Sequence, residues 1–305
     1  NPNPSGADTN TTSLTDGSTD LDLFLDNLVE DVDLNQNIKF VLSDNISFDA
    51  GWQIKQLSLD YRETFQGQEV TNIQSQPKIY SSFINVTAKP LPIFYFNSGL
   101  RISKYNRYDD VLLSPTLGVK YNPISDLAIK ASIGKYSQFL YTINQEEELL
   151  RIVDFWQPIP DGKKPQQANH LIIGAEYWIS TGNTVSLETY YKSYSSIYDL
   201  NPAPDYENIE QTLAISGTAK AYGIEFLYRF NRKKINGWVS YAYSNIRRKV
   251  DLNSDFILDN NKEIYPAKYD KPHSFNFLLN YQINEKYSLG VSTTIGSGQT
   301  YTPVI

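Results

Sequence analysis

From Tyr222 to Phe230 the chain changes character at every residue: Tyr222, Ile224, Phe226, Tyr228 and Phe230 alternate with Gly223, Glu225, Leu227 and Arg229. A period of two gives a β-strand one apolar face and one polar face, and it leaves a helix no coherent side to bury. The pattern recurs. His273, Phe275, Phe277, Leu279 and Tyr281 alternate with Ser274, Asn276, Leu278 and Asn280, and Leu289, Val291, Thr293 and Ile295 with Ser288, Gly290, Ser292, Thr294 and Gly296. Upstream, Val185, Leu187, Thr189 and Tyr191 oppose Ser186, Glu188 and Lys192, while Leu113, Leu117, Val119 and Tyr121 oppose Ser114, Thr116, Gly118 and Lys120. Near the start, Val32, Leu34, Ile38, Phe40 and Leu42 alternate with polar residues from Asp31 to Lys39. No long stretch carries the 3.6-residue period. The 23 Tyr and 14 Phe favour strands as well.

Read this way, the chain holds about twelve strands, near 27–42, 46–64, 78–88, 92–103, 111–121, 127–138, 167–180, 184–198, 217–230, 235–249, 269–282 and 287–300. Most exceed the usual five or six residues. Their connections alternate between tight turns, such as Ser43-Asp44-Asn45 and Thr181-Gly182-Asn183, and long loops near 65–77, 105–110, 139–166, 199–216 and 250–268. Tight turns at one end and elaborated loops at the other describe an antiparallel up-and-down outer-membrane barrel. Lipid would meet the apolar faces and water the polar ones, and the backbone would be paired by closure. Trp52, Tyr121, Trp178, Tyr281 and Tyr287 are candidates for the interfacial aromatic girdles.

The alternatives narrow quickly. The longest apolar run, Leu91 to Phe96, is far short of a membrane helix and contains Pro92, which excludes a helix-spanning protein. With no cysteine and two histidines, disulfide frameworks, thiol nucleophiles and His-rich metal sites drop out, and neither metal nor cofactor is expected. The chain has no methionine, starts Asn1-Pro2-Asn3-Pro4 and shows no signal peptide, so it is expected to be a piece of a longer protein. Net charge is −7. Asp8, Asp16, Asp20, Asp22, Asp26, Glu30, Asp31 and Asp33 stand in the first 35 residues without a Lys or Arg, and no basic stripe suited to nucleic acid follows. Residues 1–26 are expected to form an acidic extracellular loop segment, and 27–305 a partial barrel.

Several segments, in order, resemble the barrel of TonB-dependent outer-membrane receptors. Leu113-Ser114-Pro115-Thr116-Leu117-Gly118-Val119-Lys120-Tyr121 is similar to that family's LSPRLG strand, with Thr116 in place of the usual arginine, and Ala131-Ser132-Ile133-Gly134-Lys135-Tyr136 to its continuation. Ala168-Asn169-His170, Gly174-Ala175-Glu176-Tyr177, Glu188-Thr189-Tyr190-Tyr191-Lys192, Ala221-Tyr222-Gly223-Ile224-Glu225 and Gly237 to Ser244 follow. Tyr269-Asp270-Lys271-Pro272-His273-Ser274-Phe275-Asn276 and Gly296-Ser297-Gly298-Gln299-Thr300-Tyr301-Thr302-Pro303 complete the series. The resemblance implies about half of a twenty-two-stranded barrel whose plug and TonB box lie elsewhere. It implies active import across the bacterial outer membrane, with the TonB complex as partner through the plug and a scarce, bulky nutrient as ligand. Siderophore, corrinoid, carbohydrate and peptide all remain open. A passive porin-like channel and a soluble all-β binding or adhesion module are the rival readings.

No enzymatic constellation emerges, and the chain is expected not to be an enzyme. Glu146, Glu147, Glu148 and Arg151 read as a solvated loop rather than acid–base groups, and Gly296-Ser297-Gly298 lacks the lysine and helix of a phosphate loop. His170 and His273 each begin a strand after a long loop, where packing near the outer rim is the plainer role than metal or substrate binding. Arg247-Arg248-Lys249, on the long-loop side, is placed to meet anionic outer-membrane lipid or lipopolysaccharide; Arg232-Lys233-Lys234 reads as a charged turn. Asp16, Asp20, Asp22 and Asp26 lack the spacing of a calcium loop. Rigid aromatics beside hydrogen-bonding groups make Phe155, Trp156 and Gln157, with Pro158, and Tyr198, Asp199 and Tyr206, with Glu207, the candidate ligand-binding loop residues, set against plain packing of the loops on themselves. Strand parity turns Glu176, Glu188, Lys192, Glu225 and Arg229 toward the lumen.

Overall fold

The computed structural model describes residues 14–16, 19–21, 23–143, 155–201, 206–250, 263–267 and 269–298. Alternating side chains become antiparallel strands joined to their sequence neighbours. The strands are β1 Leu14–Asp16, β2 Thr19–Leu21, β3 Leu23–Ser43, β4 Ile46–Phe65, β5 Gln68–Ser75, β6 Lys78–Leu91, β7 Phe94–Tyr105, β8 Val111–Ile124 and β9 Leu127–Gln138. After them come β10 Leu140–Ile143, β11 Phe155–Pro158, β12 Gln166–Ser180, β13 Asn183–Leu200, β14 Ala214–Arg232, β15 Ile235–Val250, β16 Glu263–Pro266, β17 His273–Gln282 and β18 Ser288–Gly296. Among the described residues the only α-helix is the single turn α1, Ile209–Thr212.

Twelve strands form one continuous path, β18-β17-β15-β14-β13-β12-β9-β8-β7-β6-β4-β3, and every pairing is antiparallel. These are the twelve strands expected from the sequence. The first begins at Leu23, four residues ahead of the expected boundary at 27. The remaining strands sit on the long-loop side. β5 extends β4 as a hairpin whose tip, Gln66-Gly67, has positive φ at both residues, the backbone that a two-residue hairpin turn needs. β16 continues the edge of β15, and β10 pairs with β11. These short strands lack a run of alternation long enough to read.

The sheet has an unusual distribution of apolar side chains. Val32, Leu34, Phe40, Ile133 and Ile295 are 72, 60, 60, 55 and 60% exposed, and all lie on one face. Water does not favour so extensive an apolar surface, and lipid does. The largest buried cluster lies at the other face toward the long-loop end, where Leu57, Leu59 and Tyr61 of β4, Ile73 of β5, Ile79 of β6, Tyr105 of β7, Tyr141 of β10, Ile159, Tyr198 of β13 and Leu213 pack together. β4 and β13 are six strand positions apart, about 29 Å in a flat sheet at about 4.8 Å per strand. Side chains bridge such a gap only if the wall curls and the loops fill the concavity. The wall is a curved barrel segment, and its concave face is the inner one.

Candidate functional site: the polar inner face beneath a packed loop lid

Inner-face positions follow from register, because residues directly opposed in an antiparallel ladder share a face. Glu176 opposes Ser186, Glu188 opposes both Gly174 and Glu225, and Arg229 opposes Thr184 and Trp238. All four charged residues, with Lys130, line one hollow of about 530 Å³ on the concave side. Lys130 Nζ lies 2.6 Å from Glu176 Oε2. The carboxylates of Glu188 and Glu225 face one another across the ladder, and among the described residues neither forms an ion pair, whereas Glu176 is paired with Lys130. Lys192 shares the face nearer the loops, opposite His170 and Ala221, and its ammonium lies 4.8 Å from the centre of the Tyr190 ring. Its neighbour His170 rests against Tyr136 and Tyr194 at 4.7 and 6.2 Å, with Nε2 buried and unbonded.

A second polar patch lies toward the β3 edge. Lys55 Nζ reaches Asp31 at 2.7 Å and Asp33 at 3.5 Å, while Gln53 is hydrogen-bonded to Asp33 and accepts from Arg101. Arg101 also borders a hollow of about 250 Å³ with Asn85 and Thr116. The inner face therefore carries paired and unpaired charges along most of its width.

Over the long-loop end of this trough the loops pack as a lid. The β10–β11 hairpin leaves the wall between β9 and β12 and reaches β3, where Asn27 Nδ2 donates to Trp156 O at 3.3 Å and Trp156 N donates to Asn27 Oδ1 at 2.9 Å. On the opposite side Tyr141 packs at a tilt against Tyr198 of β13, ring centres 5.4 Å apart. Tyr105 donates its hydroxyl to Ile159 O at 2.7 Å and Tyr198 to Lys164 O at 2.8 Å. Arg107 joins three loops, with Asp161 at 3.2 Å and Glu210 at 2.5 Å. Burial pushes the Tyr61 and Tyr141 phenols upward and raises the Glu63 carboxyl above its usual range.

The candidate loop residues divide. Trp156 is partly exposed, whereas Gln157 and Tyr198 are buried inside the lid, and Gln157 Nε2 has no hydrogen-bond partner. Asp199 pairs with Arg248 at 2.9 Å and accepts from Tyr265 at 3.2 Å. The side chains of Phe155 and Tyr206 lie outside the described residues, as do Glu146, Glu147, Glu148, Arg151 and Asp22; Asp16 and Asp20 are described only as backbone of the β1–β2 hairpin. Asp26 falls in β3, opposite Arg62. In the basic cluster, Arg248 turns inward to Asp199, while Arg247 is held by Asp270 at 3.0 Å. The turn Arg232-Lys233-Lys234 joins β14 to β15 at the tight-turn end.

One expectation shifts. Trp178 opposes Thr184, an inner-face position, and Lys120 Nζ lies 6.0 Å from its ring centre, so it is not part of an outward girdle. Phe94 and Tyr121 do stack on the outward side near a tight turn, at 4.7 Å. His273 lies on the outward face, where Tyr241 Oη is 2.8 Å from Nδ1, and Ser297 closes the end of the β17–β18 hairpin through His273 N at 3.0 Å. Groups that alternation alone did not single out are Lys130 of the inner face, visible only once β9 and β12 are in register, and Arg107 of the lid, whose loop partners are far away in sequence.

A sequence model described as "TonB dependent receptor-like, beta-barrel" matches residues 1–304. The chain belongs to this family. It is accordingly an outer-membrane β-barrel protein of a receptor and transporter family rather than of an enzyme family. Comparison with curated proteins returns no match. Among solved structures, the FrpB iron transporter of Neisseria meningitidis aligns at TM-score 0.63 and 15% identity over 87% of this chain and 42% of its own. The ferric citrate transporter FecA in its unliganded form aligns at 0.63 and 11% over 95% and 44%. The ferripyoverdine receptor of Pseudomonas aeruginosa, bound to ferripyoverdine, aligns at 0.61 and 10% over 89% and 38%. At these identities the likeness is one of fold. The chain spans less than half of the length of each of the three.

Proposed function

We propose that this barrel segment belongs to an active importer that captures a scarce, bulky nutrient at its external loops and passes it along the polar inner face when TonB acts on a plug. The observation that carries the proposal is the hollow lined by Lys130, Glu176, Glu188, Glu225 and Arg229 beneath a packed lid. A wall with unmatched carboxylates turned inward suits a charged plug or a hydrated ligand better than a dry core. Glu176, Glu188, Lys192, Glu225 and Arg229 are proposed to hold the plug or line the path. At the mouth, Trp156 offers an accessible ring, and Gln157 Nε2 is a buried donor that a ligand entering under the lid would satisfy. Phe155, Asp199 and Tyr206 are proposed to lie at the same mouth, with Tyr198 as the support beneath them. The named neighbours are an iron transporter, a ferric citrate transporter and a ferripyoverdine receptor, which supports an iron-bearing, siderophore-like cargo ahead of a corrinoid, carbohydrate or peptide.

The test is growth and uptake in a strain carrying the full-length gene or its deletion, with ferric siderophores, a corrinoid, an oligosaccharide or a peptide supplied as the limiting nutrient. Import is expected for one class only and should stop on loss of TonB or on collapse of the proton-motive force. Uptake that continues without energisation would make the protein a passive pore.

A further inference from the structure

The outward face carries a basic row that the import reading does not use. Lys135 opposes Asn169, Asn169 opposes Ser193, Ser193 opposes Lys220, and Lys220 opposes Arg247, so these residues form one continuous line across five adjacent strands. Two residues closer to the tight turns, the same face carries Ile133, Leu171, Tyr191 and Tyr222. Two residues further out, Lys249 opposes Thr218. No Asp or Glu occupies an outward position in this row or in the rows on either side of it, among the described residues. Among the described residues the carboxylate in contact is the buried Asp270, which holds Arg247 through Nη1 and leaves the rest of its fork for another acceptor.

Lys220 and Arg247 are one strand apart, about 5 Å, and Lys135 is three strands from Lys220, about 14 Å. Like charges directly opposed repel, so an anion between Lys220 and Arg247 would be favourable. The row stands at the long-loop end, immediately above an apolar belt, at the level where outer-leaflet headgroups meet water. We propose that Lys135, Lys220 and Arg247, with Lys249 above them, bind the phosphate groups of lipopolysaccharide packed against the barrel wall. Charge-assisted bonds to phosphate would hold the headgroup while its acyl chains cover Ile133, Leu171, Tyr191 and Tyr222. The proposal rests on which face meets lipid and not on what is transported.

The experiment uses the full-length receptor in mild detergent, with lipopolysaccharide retention followed by native mass spectrometry. Lipopolysaccharide with its phosphates, the same material after phosphatase treatment, and inorganic phosphate are the three probes. The variant K135Q/K220Q/R247Q should bind the intact lipid at least tenfold more weakly. The wild type should bind the phosphatase-treated lipid with a similar loss. R232Q/K233Q/K234Q, at the opposite end, should match the wild type. Binding by the first variant within twofold of the wild type would overturn the proposal. So would an equal loss in the second variant, or complete displacement of the lipid by millimolar inorganic phosphate, which would mark a free-anion site. Should the triple variant lose heat-modifiable gel migration, Lys220→Gln alone is read instead: a threefold or greater loss supports the site, and an unchanged affinity overturns it.

Discussion

Replacing Ile224 by arginine is the perturbation with the clearest magnitude. Ile224 lies on the outward face of β14 between Tyr222 and Phe226, opposite Thr189 and Tyr243, and its side chain is substantially exposed. The outward apolar run from Tyr222 to Phe230 brackets it, so it sits within the hydrocarbon layer. An arginine facing lipid near the bilayer midplane costs about 2–4 kcal/mol, or roughly 30- to 1000-fold in the ratio of folded to unfolded protein. Its neighbour Glu225 turns inward and faces Glu188. Glu225→Gln removes a like-charge opposition worth about 0.2–1 kcal/mol, so it should leave stability unchanged or raise it slightly. Reversible unfolding of the full-length receptor in phospholipid vesicles, followed by gel migration and tryptophan fluorescence, measures both. If Ile224→Arg falls within about 0.5 kcal/mol of the wild type, or if Glu225→Gln is the more damaging change, the assignment of faces is refuted.

Three further outcomes follow from the lid and the wall. Arg107→Ala removes the link among three loops and should destabilise the lid locally by about 1–3 kcal/mol, read as faster hydrogen exchange at Ile159 to Gly162 with the β12–β15 wall unaffected. Burial raises the Glu63 carboxyl, so its folded state favours the proton; the lid is then most stable below the unfolded value and loses stability as pH rises through the folded one. Glu63→Gln should flatten that pH dependence of exchange around Tyr61 and Ile73, and a persistent slope would place its origin elsewhere. Gly223→Ala drives a Cβ into Tyr243 O and to 2.6 Å from Tyr190 Oη, so it should cost about 1–3 kcal/mol, checked by chemical unfolding, whereas Gly298→Ala, with nothing within 4 Å, should cost little.

The wall was legible because lipid on one side and polar groups on the other impose a period of two over many residues, as in β14 and β17. The family series ran along that same wall. The loops followed no such rule: β10 and β11 are four residues each, and their partners Asn27 and Tyr198 are distant in sequence. Exposure of a loop side chain was likewise invisible, so Trp156 at the surface and Gln157 in the interior looked alike. Parity placed Glu176, Glu188, Glu225 and Arg229 on one face, but their union with Lys130 in a single hollow needed the strand order. Trp178 was misplaced because an aromatic at a strand end suits a girdle from the sequence alone, while register turns it inward toward Lys120.

The most direct measurement of the account is a nitroxide scan of β14 from Ala221 to Phe230 in the full-length receptor, comparing collision with dissolved oxygen and with a water-soluble nickel complex. Even-numbered positions from Tyr222 to Phe230 should favour oxygen and the odd positions Gly223 to Arg229 the nickel complex, in strict alternation. A scan without a two-residue period, or with the two sets reversed, would contradict a wall that faces lipid outside and water within.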